Sequence, residues 1–256
     1  MTKLKVLLLS LALLGFIPQN VVRIPGPGGG AAAVTPLYAR TFNGSSQYLS
    51  NTSPSGAYFS NKSGGWAVCI KMLPANLTDS NRYVWVNKSS TIQAGMLYGY
   101  AGGGIVEMYA SGNTGDVRTG SQETLPDSTG WHSVCYDYDG TALYKWLDGS
   151  KTTYNAGPIS VSWNALVSPA LYVGQSGSSA NYYHGALARF IFANSSQSDT
   201  AFTDYAGATC STTNWTNIQG YWMSNASPET NIGGTGTDSL TVTGATQTTG
   251  PTCSSQ

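Results

Sequence analysis

The side chains that could do chemistry in this 256-residue chain are few and scattered. Hydrolysis of a glycosidic bond needs two carboxylates flanking that bond, whereas Glu107, Glu123 and Glu229 stand isolated. A Ser-His-Asp arrangement would have to draw on His132 or His184, the only two histidines. His132 follows Trp131 at the start of an alternating run and reads as structural; His184, beside Gly185, reads as a turn residue. Asp139 and Asp148 each precede a glycine, and Asp-Gly favours turn formation over metal ligation. No catalytic residue is assigned, and the expectation is that the chain is not an enzyme.

Aromatic side chains offer a different chemistry. Rings can stack on the C–H faces of sugars while Asn, Asp and Ser take the hydroxyls. Tyr83, Trp85, Tyr98, Tyr100 and Trp146 are the candidate ligand-binding residues, with Tyr109 and Tyr144 in the same aromatic set. Alternation puts Tyr83 and Trp85 on one face and Val84 and Val86 on the other. If the valines face the core, the two rings point outward. The competing account is that most of these rings fill the core.

The elements that must hold these residues are short strands. Runs at Tyr38–Phe42, Tyr48–Ser50, Trp66–Leu73, Tyr83–Asn87, Gly95–Tyr100, Ile105–Tyr109, Asp116–Thr119, Trp131–Tyr138, Ala142–Leu147, Ala170–Val173, Ala186–Ala193, Ile218–Met223 and Leu240–Val242 are separated by polar and Gly-rich turns. Only Asp199–Gly207 suggests a brief helix. This pattern predicts an all-β sandwich or jelly roll of two antiparallel sheets. In Trp66–Leu73, Trp66, Val68, Ile70 and Met72 share the core face, leaving Ala67, Cys69, Lys71 and Leu73 opposite. In Trp131–Tyr138, Val134, Tyr136 and Tyr138 share one face, with Ser133, Cys135 and Asp137 on the other. Cys69 and Cys135 therefore both sit on the more polar face of their strands.

Composition narrows the partners. Charged residues make up 9% of the chain, with Lys+Arg and Asp+Glu balanced at 12 each, against about 25% charged in typical soluble proteins. No basic footprint for nucleic acid can be assembled from this. Tyr outnumbers Phe 16 to 6, which suits half-exposed positions. Four cysteines, Cys69, Cys135, Cys210 and Cys253, contain no C-x-x-C pair, which argues against a zinc or redox site. They read as two disulfides in an oxidising compartment, or as four thiols in a reducing one. Residues 1–36 form an apolar signal-like or anchor segment followed by a Pro/Gly linker, and 37–256 the jelly-roll domain. The apolar run Val6–Ile17 is too short for a stable membrane span. Eight Asn-x-Ser/Thr sites occur, at Asn43, Asn51, Asn61, Asn76, Asn87, Asn194, Asn214 and Asn225.

Several motifs together carry a resemblance. Tyr38–Leu49 has an aromatic-Asn-Gly turn leading to an aromatic-aliphatic pair, and Trp66–Lys71 and Trp131–Cys135 each place a cysteine on a strand. Ala142–Gly149 ends in Asp-Gly; Leu171–Gly174 and His184–Ala193 read as closing strands. Over roughly residues 37–206 the chain resembles the laminin-G-like and pentraxin-like group of concanavalin A-like jelly rolls. The resemblance implies that Cys69 pairs with Cys135 and that the domain binds rather than catalyses. It departs at Ala188, where the group usually carries an acidic residue, and in the lack of a Glu-Gln-Asp run. The calcium motif is therefore not carried over, and calcium stays open. Residues 207–256 read as late strands that close or decorate the domain, with Cys210 and Cys253 bracketing the tail and an ordered appendage favoured. The function expected is a secreted, non-catalytic recognition module for a carbohydrate or cell-surface ligand. The alternative is a structural surface component of a virion or filament, joined to other subunits; a glycan-active hydrolase comes third.

Overall fold

A computed structural model describes residues 34–54, 65–88, 93–99, 102–111, 122–153, 170–178, 180–222, 229–231 and 238–254. The expected strand Asp116–Thr119, the candidate Tyr100 and the whole signal-like segment lie outside these residues. The strands are β1 (Val34–Asn43), β2 (Tyr48–Asn51), β3 (Trp66–Pro74), β4 (Arg82–Lys88), β5 (Gln93–Tyr98) and β6 (Ile105–Ser111). They continue with β7 (Glu123–Thr124), β8 (His132–Tyr138), β9 (Leu143–Leu147), β10 (Ser150–Thr153), β11 (Ala170–Val173) and β12 (His184–Ala193). Helix α1 (Asp199–Ala206) precedes β13 (Ile218–Trp222), β14 (Glu229–Thr230), β15 (Ser239–Thr243) and β16 (Thr246–Ser254).

These strands make the expected jelly-roll sandwich of two antiparallel sheets. The first runs β10-β9-β8-β3-β12-β1-β16, with β13 also paired to β12; the second runs β14-β15-β2-β11-β4-β5-β6-β7. Apolar alternation decides which face each strand turns inward. Trp66, Val68, Ile70 and Met72 of β3 and Val134, Tyr136 and Tyr138 of β8 join the shared core between the sheets. The opposite faces of the same strands put Cys69 directly across from Cys135, and the two form a disulfide at a Cα separation of 4.1 Å. A second disulfide joins Cys210 to Cys253.

The outer face of the first sheet is not simply solvated. Ser198 caps α1, its side chain accepting from the Ala201 amide, and Asp199 lies in the first turn, where the helix dipole favours a negative charge. The helix lays Ala201, Phe202 and Tyr205 on that face, where they pack with Cys69, Cys135, Trp146 and Ile191. β12 is thus buried on both faces, which is why it reads as a nearly continuous apolar run. A bulge at Arg189, held at φ 51°, switches its inward residues from Leu187 to Phe190 and Phe192. Pairing along that edge passes from β1 to β13 across the same bulge.

The tail corrects one expectation. The described residues of 207–256 close the sandwich, as late strands would, rather than forming the favoured appendage: β16 pairs along β1, β15 pairs with β2, and Trp222 and Leu240 belong to the main core. Among the described residues no helix is long and apolar enough to cross a membrane.

Candidate functional site

Among the described residues the structure does not gather the expected aromatics into a platform. Trp85 is fully buried, with Phe190 at 5.6 Å between ring centroids. Tyr98 is also buried and donates its hydroxyl to the Asn76 carbonyl at 2.5 Å. Trp146 is buried beneath α1, stacked on Phe202 at 4.7 Å. Tyr83 is half-exposed, as is Tyr144 of the same aromatic set. The outward reading of Trp85 fails because β4 carries an irregularity between Tyr83 and Trp85, so Val84 and Trp85 both turn into the core. Strict alternation cannot see such a bulge.

A groove instead opens on the outer face of the first sheet, beyond the edge of α1. Its volume is about 320 Å³. Thr41 of β1, Ala186 of β12 and Leu73 of β3 lie in one cross-strand row along its floor. Gly185 extends that floor as bare backbone at φ +137°; a Cβ there would sit 2.3 Å from the Leu73 carbonyl oxygen, so only glycine permits this strand approach. Trp131 and Ser128 wall one side, Thr248 and Thr249 of β16 the other. Trp131 is half-buried.

The wall is held by ionic capping. Asp127 Oδ1 accepts from the amides of Thr129 at 2.7 Å and Gly130 at 2.9 Å, and from the Thr129 hydroxyl at 2.9 Å. These donors, the two amides first, pull its carboxyl down to about 2. The next turn brings in His132, only 5% exposed. Its Nδ1 lies 2.8 Å from Asp148 Oδ2 and its Nε2 3.7 Å from Asp127 Oδ1. Asp148 Oδ1 in turn accepts from the Ser133 amide at 2.7 Å. His132 is anchored to Asp148, and Asp148 does more than turn the chain: it ties the β9–β10 turn to the start of β8. Asp139 behaves as the Asp-Gly reading predicts, accepting from the Thr141 and Ala142 amides. His184 does not sit in a plain turn but opens β12, with Nδ1 3.1 Å from Asp79 Oδ2.

The next row inward along the same face holds Lys71 opposite Ser133. Lys71 Nζ donates to Ser133 Oγ at 2.8 Å and to the Ala206 carbonyl at 3.3 Å. Burial foremost, then the charge of Arg189, pushes this amine down to about 8, while Asp148 acts the other way. The pair has the composition of a serine nucleophile with a lysine base. Lys71 and Ser133 are both buried, however, and the lysine caps the carbonyl end of α1, a role suited to a cation. Their arrangement is a clamp between helix and sheet. Of the isolated glutamates, Glu123 pairs with Lys145 at 3.2 Å. Among the described residues no group of three or more His, Cys, Asp or Glu side chains could hold a metal. Of the Asn-x-Ser/Thr sites, Asn43 and Asn214 are exposed, Asn87 is fully buried, and Asn61 and Asn225 lie outside the described residues.

No sequence-family model matches the chain. No curated protein matches it by sequence. Solved structures do share its fold. A protein assigned as carbohydrate-binding from Bacteroides ovatus superposes with a TM-score of 0.56 at 12% identity, over 85% of this chain and 61% of that one. A heptameric SAP-like pentraxin from Limulus polyphemus gives 0.54 at 14% identity, over 85% of this chain and 97% of its own. Domain 4 of an extracellular arabinanase from Geobacillus stearothermophilus, solved with arabinotriose, gives 0.49 at 16% identity over 70% and 82%. The chain therefore spans about three-fifths of the length of the first of these proteins. At these identities the likeness to the first two shows a shared fold alone, the two-sheet jelly-roll sandwich.

Proposed function

We propose that this chain is a non-catalytic recognition module that binds carbohydrate in the groove on the outer face of its first sheet. The observation that carries the reading is the groove's composition: Trp131 on one wall and threonines of β16 on the other, over a floor of Leu73, Pro74, Gly185 and Ala186. An aromatic face packs against the C–H face of a sugar, and hydroxyls that both donate and accept satisfy its OH groups. Two proteins with the same fold, one assigned as carbohydrate-binding and one a pentraxin, support this reading by analogy of fold alone. Two disulfides support an extracellular location.

The test is a glycan array probed with the parent protein and with Trp131→Ala, with and without calcium. Binding that falls with Trp131→Ala supports the reading. An array with no bound glycan in either condition overturns it and favours a structural surface component of a virion or filament.

A further inference from the structure

We infer that the groove selects neutral sugars and rejects anionic ones. This rests on the recognition reading above and concerns the class of glycan that the same groove takes. None of its ten described lining residues carries a charge. Its hydroxyl-bearing lining residues are Thr41, Ser128, Thr248 and Thr249; Thr248 and Thr249 are neighbours on β16 and turn to opposite faces, so one of the two presents its hydroxyl. Each hydroxyl is one donor and two acceptor sites, the same inventory as a sugar hydroxyl.

An anionic sugar needs a guanidinium, an ammonium or clustered amides aimed at its carboxylate or sulfate. The cations on the three floor strands are committed elsewhere. Arg40 on β1 is buried and donates to the Ala245 carbonyl at 3.5 Å. Lys71 on β3 is buried against Ser133 and the end of α1. Arg189 on β12 is buried, donates to the Cys210 carbonyl at 2.5 Å and lies over the Tyr221 ring at 5.1 Å.

A negative charge stands beside the wall. Asp127 immediately precedes Ser128 and is held ionised by its own turn. An incoming carboxylate or sulfate would meet that repulsion and would shed water with no cation to replace it. A neutral ring pays neither cost. The volume, about 320 Å³, lies at the small end of ligand pockets, which run from about 300 to 1,000 Å³. It therefore suits a short segment or chain end rather than a long polymer stretch.

Two panels test this by calorimetry and by NMR of the Trp131 indole, assigned through Trp131→Phe. One panel holds neutral gluco-, galacto-, manno-, xylo- and arabino-oligosaccharides. The other holds oligogalacturonates, sialyllactose and chondroitin sulfate fragments. Neutral ligands are expected to shift the Trp131 signal, and Trp131→Ala to weaken them roughly tenfold. Thr248→Val, a surface change that preserves shape, is expected to weaken them in the same direction if Trp131→Ala fails to fold. Asp127→Asn, which keeps the turn's acceptor, is expected to narrow the gap between the panels at low salt. Anionic ligands that bind at Trp131 as tightly as neutral ones overturn the selectivity and leave carbohydrate binding standing. Silence from both panels overturns the selectivity and the recognition reading together.

Discussion

His132 Nδ1 lies 2.8 Å from Asp148 Oδ2, and the other oxygen of that carboxyl accepts the Ser133 amide at 2.7 Å. One side chain at φ 50° thus grips two successive residues of β8, immediately after Trp131. Asp148→Asn tolerates the same backbone but removes the charge from both contacts. Such charge-assisted hydrogen bonds are worth about 1.5–3 kcal/mol each when buried, and exposure of the carboxylate reduces that figure. The expected loss is about 1–2 kcal/mol by urea denaturation, with a moved Trp131 indole resonance. An unchanged indole resonance would show that this clamp does not set the groove wall.

The two disulfides span 66 and 43 residues. Loop-closure entropy assigns each about 4 kcal/mol. Cys69→Ala with Cys135→Ala removes the first cleanly and is expected to lower stability by about that amount, because the pair also sits in the packed layer under α1. Replacing Cys210 and Cys253 is expected to cost a similar amount and to loosen the end of β16 specifically. Hydrogen exchange of the Thr252 and Cys253 amides, which lie opposite β1, reads that loosening. Uniform protection along β16 after the second replacement would refute it.

Trp85 marks the limit of reading faces from alternation. The valines at 84 and 86 looked like the core side, yet Val84 and Trp85 both enter the core and Tyr83 stays half-exposed. Trp85→Ala is expected to cost about 3–5 kcal/mol, the range for a buried tryptophan cut back to alanine. Tyr83→Ala is expected to cost about 1 kcal/mol. Chemical denaturation of both variants decides; equal losses would contradict the burial difference.

The β3 and β8 faces were legible because each strand is regular, so a period-2 pattern puts Cys69 and Cys135 on the same face; that they stand opposite each other was implied by the family resemblance and is seen in the strand register. β12 was legible as a strand, but its switch of inward face at Arg189 was not, because a positive φ at arginine leaves no sequence mark. The groove was invisible for a different reason. Thr41, Leu73, Ser128, Ala186 and Thr248 are ordinary strand and loop residues, far apart in sequence, and only sheet order brings them together. Trp131 could have been flagged by its place beside His132, but nothing local separates a groove wall from a core ring. The tail misled because β16 is polar and contains Gly250 and Pro251, weak strand signals that its pairing with β1 overrides.

Two buried groups on the outer face of the first sheet should set opposite pH slopes on stability. Lys71 falls from 10.5 to about 8 in the folded protein, through burial first. Between those values the unfolded chain binds a proton that the folded chain does not, so stability rises with pH above about 8. Asp137 rises from 3.8 to about 6, again through burial first, with Ser196 and Gln197 opposing. Its contribution is fully present below 3.8 and is lost as pH climbs through about 6. Lys71→Met should flatten the alkaline limb and Asp137→Asn the acidic one. Urea midpoints across pH 4–7 and pH 7.5–9 measure both; the second window stops short of the ordinary value of 10.0 around which Tyr136, Tyr183 and Tyr205, raised by burial in the fold, ionise in the unfolded chain and pull stability the other way. An alkaline slope that survives Lys71→Met would place its origin in another group, and the ammonium beneath α1 would then be no burden to the fold.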